Sequence, residues 1–197
     1  YYRAVFAACS RAVDLLATCA EVDASRIFVT GGSQGGGLTF ITAALNPKVA
    51  MAVSGSPGLF GLEWKLRHLP PQWWPPIDPI NEQGQLVSDV KALEARIAVA
   101  RYADAANFAP RITGRVLVMS GLQDHVTSQA AALAAWSRLS NARTKALLVD
   151  PWAGHNGPRG GQGLNSTWWL ALVAADPGRV ETVREAGGLP VRVEVKK

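Results

Sequence analysis

The sequence predicts an α/β fold: an open, mostly parallel sheet with helices on both faces. Three observations carry this expectation. Short β-rich apolar runs ("RIFVTG", "VAMAVSG", "RVLVMSG", "TKALLVD") alternate with segments of helical periodicity, as a doubly covered parallel sheet requires. The first two runs enclose a helical stretch within 30 residues, the mark of a βαβ unit. Finally, 197 residues at 48% hydrophobic and 18% charged suit one globular domain with its own core.

Each element can be justified in chain order. From Arg3 to Cys19, apolar residues fall at helical spacing (Val5, Ala8, Ala12, Leu15, Leu16, Cys19). "EVDASR" then turns, with Asp23 as a cap. "RIFVTG" is a compact run suited to a central strand, and Gln34 to Leu45 returns to a helical pattern that "NPK" ends. "VAMAVSG" is the next buried strand. From about residue 56 to 100 the pattern changes: prolines and tryptophans crowd the stretch up to Val87 and periodicity is lost. This reads as an insertion or cap over one end of the sheet, with a helix at Val90–Tyr102. "RVLVMSG", a helix over Ser128–Leu139, and "TKALLVD" follow. A glycine-rich loop, a helix beginning at "LNSTWWLALVAA" and an alternating edge strand in "LPVRVEVKK" complete the chain.

Composition narrows the functions. The formal charge of +5, from 20 basic and 15 acidic residues, is scattered rather than blocked, so nucleic acid is not an expected partner. No apolar run approaches the ~18 residues of a membrane span. Cys9 and Cys19 fall ten residues apart in one expected helix, about 15 Å by the helical rise. They are therefore read as buried thiols, which favours a reducing, cytoplasmic setting. Two cysteines and three scattered histidines give no metal-ligand spacing.

The chemistry concentrates at "GGSQG", Gly31–Gly35. This is G-x-S-x-G with a strand before it and a helix after it, the setting of a nucleophile elbow. Such a turn holds its serine in a strained backbone conformation with the hydroxyl exposed. Gly31 and Gly35 would supply the lack of bulk where strand and helix approach. The Gln34 N–H, at the start of the helix, can meet a developing oxyanion. A phosphate-cradling turn is the alternative, but neither G-x-G-x-x-G nor G-x-x-x-x-G-K-S/T is present, and no acidic residue ends the following strand.

Ser33 needs a base, and the base an orienting carboxylate. Asp124 lies three residues past the third strand and His155 five residues past the fourth. Carboxyl ends of parallel strands share one edge, so Ser33, Asp124 and His155 are expected to meet there in the order of an α/β-hydrolase. Asp150 competes as the acid, though it precedes Pro151 and is better suited to holding the turn. His125 competes as the base, but it adjoins Asp124. His68 lies in the insertion. Trp152, Trp73 and Trp74, with Trp64, are candidate substrate-binding residues, since their rings stack on sugars or ester alkyl groups; packing of the insertion tryptophans on the sheet is the competing expectation. Trp168 and Trp169 are expected in the core or at a helix dock.

The stretches "YYRAV", "RAVDLLAT", "VDASRIFVTGGSQGGGLTF" and "AAL", then "VLVMSGLQDHV" and "GH", resemble the acetyl xylan esterase / cephalosporin C deacetylase family of α/β-hydrolases. The resemblance is strong to about Pro57 and ordered from about Tyr102 to His155. It implies Ser33 as nucleophile, Asp124 as acid, His155 as base and the Gln34 amide as one oxyanion donor. It also implies removal of acetyl groups from sugars or small esters, without a cofactor, and often in an oligomer. The family has an earlier half-sheet, an "RGQ"-type motif and a second oxyanion loop. This chain opens in a helical pattern, so an incomplete N-terminal side is expected, with a partner segment or second copy completing the sheet. "HVTSQ" after Asp124 and Asn156 after His155 depart from the family pattern. The expected function is a serine carboxylic-ester hydrolase. A general carboxylesterase, a peptidase or amidase of the same fold, and a binding protein with a degenerate site are the alternatives.

Overall fold

The computed structural model describes residues 1–68, 90–155 and 191–195, the last as backbone alone. Its strands form one sheet in the order β1 (Ile27–Gly32), β2 (Val49–Gly55), β3 (Arg115–Gly121), β4 (Thr144–Asp150) and β5 (Val191–Val195). Pairs β1–β2, β2–β3 and β3–β4 are parallel. Among the described strands, β5, at the edge, is the one that runs antiparallel. The helices are α1 (Tyr2–Leu16), α2 (Gln34–Leu45), α3 (Leu62–His68), α4 (Val90–Ala103) and α5 (Gln129–Ser137).

Strand order equals chain order, so the carboxyl ends of β1, β2, β3 and β4 lie side by side. Val29, Ala52, Val116, Val118 and Leu147 share a core with Phe6 and Val13 of α1, Phe40 and Ile41 of α2, and Ala132, Ala135 and Trp136 of α5. Side chains alternate along a strand, and the intervening Met51, Val53, Leu117, Met119, Ala146 and Leu148 are buried as well. A strand buried on both faces must be apolar throughout, which is why these runs do not alternate in sequence. The helix expected from residue 164 lies outside the described residues.

Helix α1 departs from the expected pattern twice. Its buried stripe is Phe6 and Val13 with Tyr2 and Cys9 half-buried, whereas Leu15 and Leu16 are exposed. Both stripes are apolar at helical spacing, so periodicity did not choose between them. The helix also stops at Leu16 rather than Cys19. Thr18 Oγ1 donates to Leu15 O at 2.7 Å, and the Thr18 and Cys19 N–H groups close three-residue turns onto Leu15 and Leu16. A β-branched hydroxyl competing for the last carbonyls ends a helix in this way. Cys19 is consequently exposed, not the buried thiol expected. Asp23 does cap the following turn, accepting from Ser25 N at 2.9 Å.

Ser56–Phe60, at the head of the stretch read as an insertion, is buried, and the Phe60 ring meets Phe40 of α2 edge-on at 4.9 Å. Asp104 then ties α3 to the end of α4. Its carboxylate accepts from Leu62 N (2.8 Å), Gly61 N (3.3 Å) and Ala106 N (3.0 Å). Residues 69–89, with Trp73 and Trp74, lie outside the described residues.

Candidate active site

The turn from β1 to α2 is shaped by its small residues. A Cβ on Gly31 would lie 2.5 Å from the backbone carbonyl of Gly35, and one on Gly37 2.4 Å from Gly58 O. Neither position admits a side chain. Gly35 differs from expectation: its own Cβ would meet nothing within 4 Å. The close approach is made by its backbone, against Gly31.

Between them Ser33 sits at φ 56°, ψ −122°, a conformation costing a non-glycine residue about 1–3 kcal/mol. Surrounding hydrogen bonds hold it there. Its N–H donates to Gly55 O (2.9 Å), and its carbonyl accepts from Gly58 N (2.7 Å), Gly36 N (3.0 Å) and Gly37 N (3.3 Å). A serine before a helix usually turns its hydroxyl onto the first turn. Here Ser33 makes no such bond; Ser33 Oγ lies 3.0 Å from His155 Nε2.

The loops after β3 and β4 are joined by backbone. Leu122 N donates to Asp150 O (2.9 Å) and Gln123 N to Ala153 O (3.0 Å). A Cβ on Gly121 would stand 2.1 Å from Ala153 O, so the third strand must end in glycine for the loops to meet. That junction sets Asp124 Oδ2 3.0 Å from His155 Nδ1. The Asp124 side chain is fully buried, while that of His155 is 26% exposed. Burial pushes the Asp124 pKa up. Hydrogen bonds from Thr127 N and Oγ1, His155 and Val126 N outweigh it and hold the carboxyl below the usual range. An ionised Asp124 fixes the tautomer: Nδ1–H donates to the carboxylate and Nε2 is left to accept from Ser33.

Ser33, His155 and Asp124 therefore form one continuous relay, as their spacing predicted. The Gln34 N–H is the first donor of α2 and, by its position, is offered no carbonyl within the helix. The rivals stand apart from the relay. His125 is exposed with its Nδ1 3.4 Å from Gln123 O. Asp150 is wholly buried and accepts from Trp152 N at 2.9 Å, holding the turn. His68 stacks on Trp64. Trp152 is 71% exposed, three residues before His155 in sequence. Sequence reasoning missed Thr127, whose Oγ1 donates to Asp124 Oδ2 at 2.7 Å. The D-x-x-T spacing was its signal, since Asp and Thr side chains bond locally in such turns. Among the described residues no group of His, Cys, Asp and Glu could hold a metal ion.

Comparison with known proteins gives the chain's family. The acetyl xylan esterase (AXE1) family model matches residues 1–170. The acetyl esterase Axe7A of Xylanibacter ruminicola is 30% identical over 151 residues, covering 77% of this chain and 32% of that protein. The structure of acetyl xylan esterase 1 from Thermoanaerobacterium sp. JW/SL YS485 superposes with a TM-score of 0.65 at 28% identity, over 85% of this chain and 52% of that one. The acetyl xylan esterase from Paenibacillus sp. R4 gives 0.67 at 29% identity, over 89% and 53%. The chain thus spans about a third of the curated relative and about half of the two solved structures. With the match running through the elbow and both later loops, the chain belongs to the acetyl xylan esterase family.

Proposed function

We propose that this chain hydrolyses carboxylic esters through an acyl-enzyme, with acetyl as the acyl group and a small ester or acetylated carbohydrate as the substrate. The observation that carries the reading is the pair of 3.0 Å contacts running from Ser33 Oγ through the His155 ring to Asp124 Oδ2. The nucleophile, base and orienting acid are Ser33, His155 and Asp124. As Ser33 Oγ attacks the ester carbonyl, His155 Nε2 takes its proton, and Asp124 balances the imidazolium across Nδ1. The Gln34 N–H meets the oxyanion. Collapse expels the alcohol, protonated from His155 Nε2, and leaves acetyl-Ser33. Water then loses a proton to Nε2, attacks the acyl carbon, and releases acetate as Ser33 is reprotonated.

The likeness to two acetyl xylan esterase structures and to an acetyl esterase supports acetyl over longer acyl groups. Trp152, exposed and three residues before His155 in sequence, is the proposed contact of the leaving alcohol, since an indole face suits a sugar. Trp73 and Trp74 belong to the same proposal as substrate contacts. So does an N-terminal segment pairing with β1, which is an edge strand among the described residues. Cytoplasmic placement belongs to the same proposal, although Cys19 is exposed and not the buried thiol from which it was argued. No described helix is long and apolar enough to cross a membrane.

The test is fluorophosphonate labelling read by intact mass. Stoichiometric labelling is expected in the wild type and in His125→Ala, and none in Ser33→Ala. Labelling of His155→Ala should be slower by at least about 100-fold. Hydrolysis of 4-nitrophenyl acetate should exceed that of the octanoate and of 4-nitroacetanilide. A folded wild type that takes no label refutes the hydrolase reading; faster anilide cleavage makes it an amidase.

A further inference from the structure

Where the chain leaves β2, Ser56 and Leu59 hold backbone conformations that L-residues rarely adopt, at φ 37° and φ 62°. Ser56 carries two further burdens. It precedes Pro57, a position that favours extended backbone. Its buried Oγ also meets no hydrogen-bond partner among the described residues, which is unfavourable for a hydroxyl away from water. Glycine would escape both the strain and the stranded hydroxyl. Strain of this kind persists only where the surroundings impose it.

The surroundings here are the two ends of the relay. On one side, Gly55 O accepts from Ser33 N (2.9 Å) and Gly58 N donates to Ser33 O (2.7 Å). On the other, Ser56 N donates to Met119 O of β3 (2.8 Å). Ser56 O also accepts from Thr127 Oγ1 at 3.2 Å, the hydroxyl that reaches Asp124 Oδ2 at 2.7 Å. Thr127 thus shares one proton between a carbonyl and a carboxylate, as three-centre bonds do. The same short stretch of main chain therefore grips the nucleophile's peptide groups and the support of its acid. The imidazole of His155 must fit between those ends, with 3.0 Å contacts to Ser33 Oγ and Asp124 Oδ2. A rigid ring tolerates little error in that spacing. We propose that Ser56 is a positioning residue, whose left-handed turn makes Gly55–Gly58 a main-chain crossbar that sets the distance between Ser33 and Asp124. The role belongs to its backbone conformation and not to its hydroxyl. That this spacing serves catalysis rests on the reading given above; the crossbar can be measured without it.

Three variants separate backbone from hydroxyl and from bulk. Ser56→Gly is the conservative change for this backbone: it loses the hydroxyl but accepts a positive φ. Ser56→Thr keeps the hydroxyl, while its branched Cβ opposes that φ. Ser56→Cys adds bulk without branching. Ser56→Thr should label with fluorophosphonate about tenfold more slowly or worse, and lose kcat for 4-nitrophenyl acetate with KM unchanged. Ser56→Gly and Ser56→Cys should stay within about threefold of wild type. Hydrogen exchange reads the crossbar without chemistry. In Ser56→Thr, exchange at Gly58 N–H and Thr127 N–H should rise together by about tenfold or more relative to Ala146 in β4, and in Ser56→Gly it should not. Three results overturn the proposal: a slow Ser56→Gly, equal slowing in Ser56→Cys and Ser56→Thr, or a Ser56→Thr with wild-type rates and exchange. If Ser56→Thr does not fold, Ser56→Gly decides, since wild-type labelling and exchange support the crossbar and a loss in either overturns it. A wild type that takes no fluorophosphonate refutes the hydrolase reading, and exchange alone then decides the crossbar.

Discussion

Adding one methyl group at two positions of "GGSQG" should have opposite consequences. At Gly31 the new Cβ would stand 2.5 Å from the carbonyl carbon and oxygen of Gly35, where ordinary contact begins near 3.4 Å. Strand and helix must then part by about 0.9 Å, the difference of those distances. Both atoms belong to backbone, so no rotamer change relieves the clash. Overpacking of this kind costs about 1–3 kcal/mol. It also moves Ser33, which hangs between the two glycines, away from His155. At Gly35 the Cβ meets nothing within 4 Å, and the position is the second residue of α2. Alanine there gains helix propensity, up to about 1 kcal/mol and less in the first turn. Urea unfolding of Gly31→Ala and Gly35→Ala, with fluorophosphonate labelling rates on the same samples, reads both effects. Gly31→Ala should lose stability and label at least about tenfold more slowly. Gly35→Ala should be as stable as wild type or more so, and label normally. Equal losses at both positions would refute the argument, because the space would then not decide the outcome. Wild-type stability and labelling in Gly31→Ala would refute it from the other side.

Two further predictions concern the polar supports of the site. Thr127→Val removes the 2.7 Å hydroxyl bond to Asp124 at nearly constant volume, and should cost about 1–3 kcal/mol at pH 7. The folded-state pKa of Asp124 is depressed, so its contribution to stability is full above the unfolded value, near 4, and fades as pH falls through the folded one. The gap between Thr127→Val and wild type should therefore narrow below about pH 4 in urea unfolding; a gap constant with pH would assign the loss to packing. Asp104→Ala leaves the N–H groups of Gly61, Leu62 and Ala106 without their acceptor. It should destabilise by about 3 kcal/mol or more, and hydrogen exchange at Leu62 should rise more than at Val118 in β3.

The relay was legible because each member stands at a strand end, where type and order suffice. Ser33 follows "RIFVT", Asp124 follows "RVLVMSG" and His155 follows "TKALLVD", and parallel pairing brings those ends together. Features set by proximity across the fold were not legible. Thr127, three residues after Asp124, was signalled by its spacing, but only the fold shows its hydroxyl turned onto that carboxylate. The glycines show the same boundary. Pattern marked Gly31 and Gly35 as equivalent, yet one faces backbone and the other open space. In α1 the sequence offered two apolar stripes and the tertiary contacts selected Phe6 and Val13 over Leu15 and Leu16.

The junction between the loops after β3 and β4 has an evolutionary consequence. It is made by main-chain groups, Leu122 N to Asp150 O and Gln123 N to Ala153 O, so it is blind to the identity of most side chains it displays. Leu122, Gln123 and Trp152 point into solvent. Substitutions there can change the exposed surface of these loops while the Asp124–His155 pair stays in register. Gly121, pressed against Ala153 O, admits no side chain. A lineage carrying this junction can vary the exposed side chains of both loops by drift while the main-chain bonds keep the pair aligned.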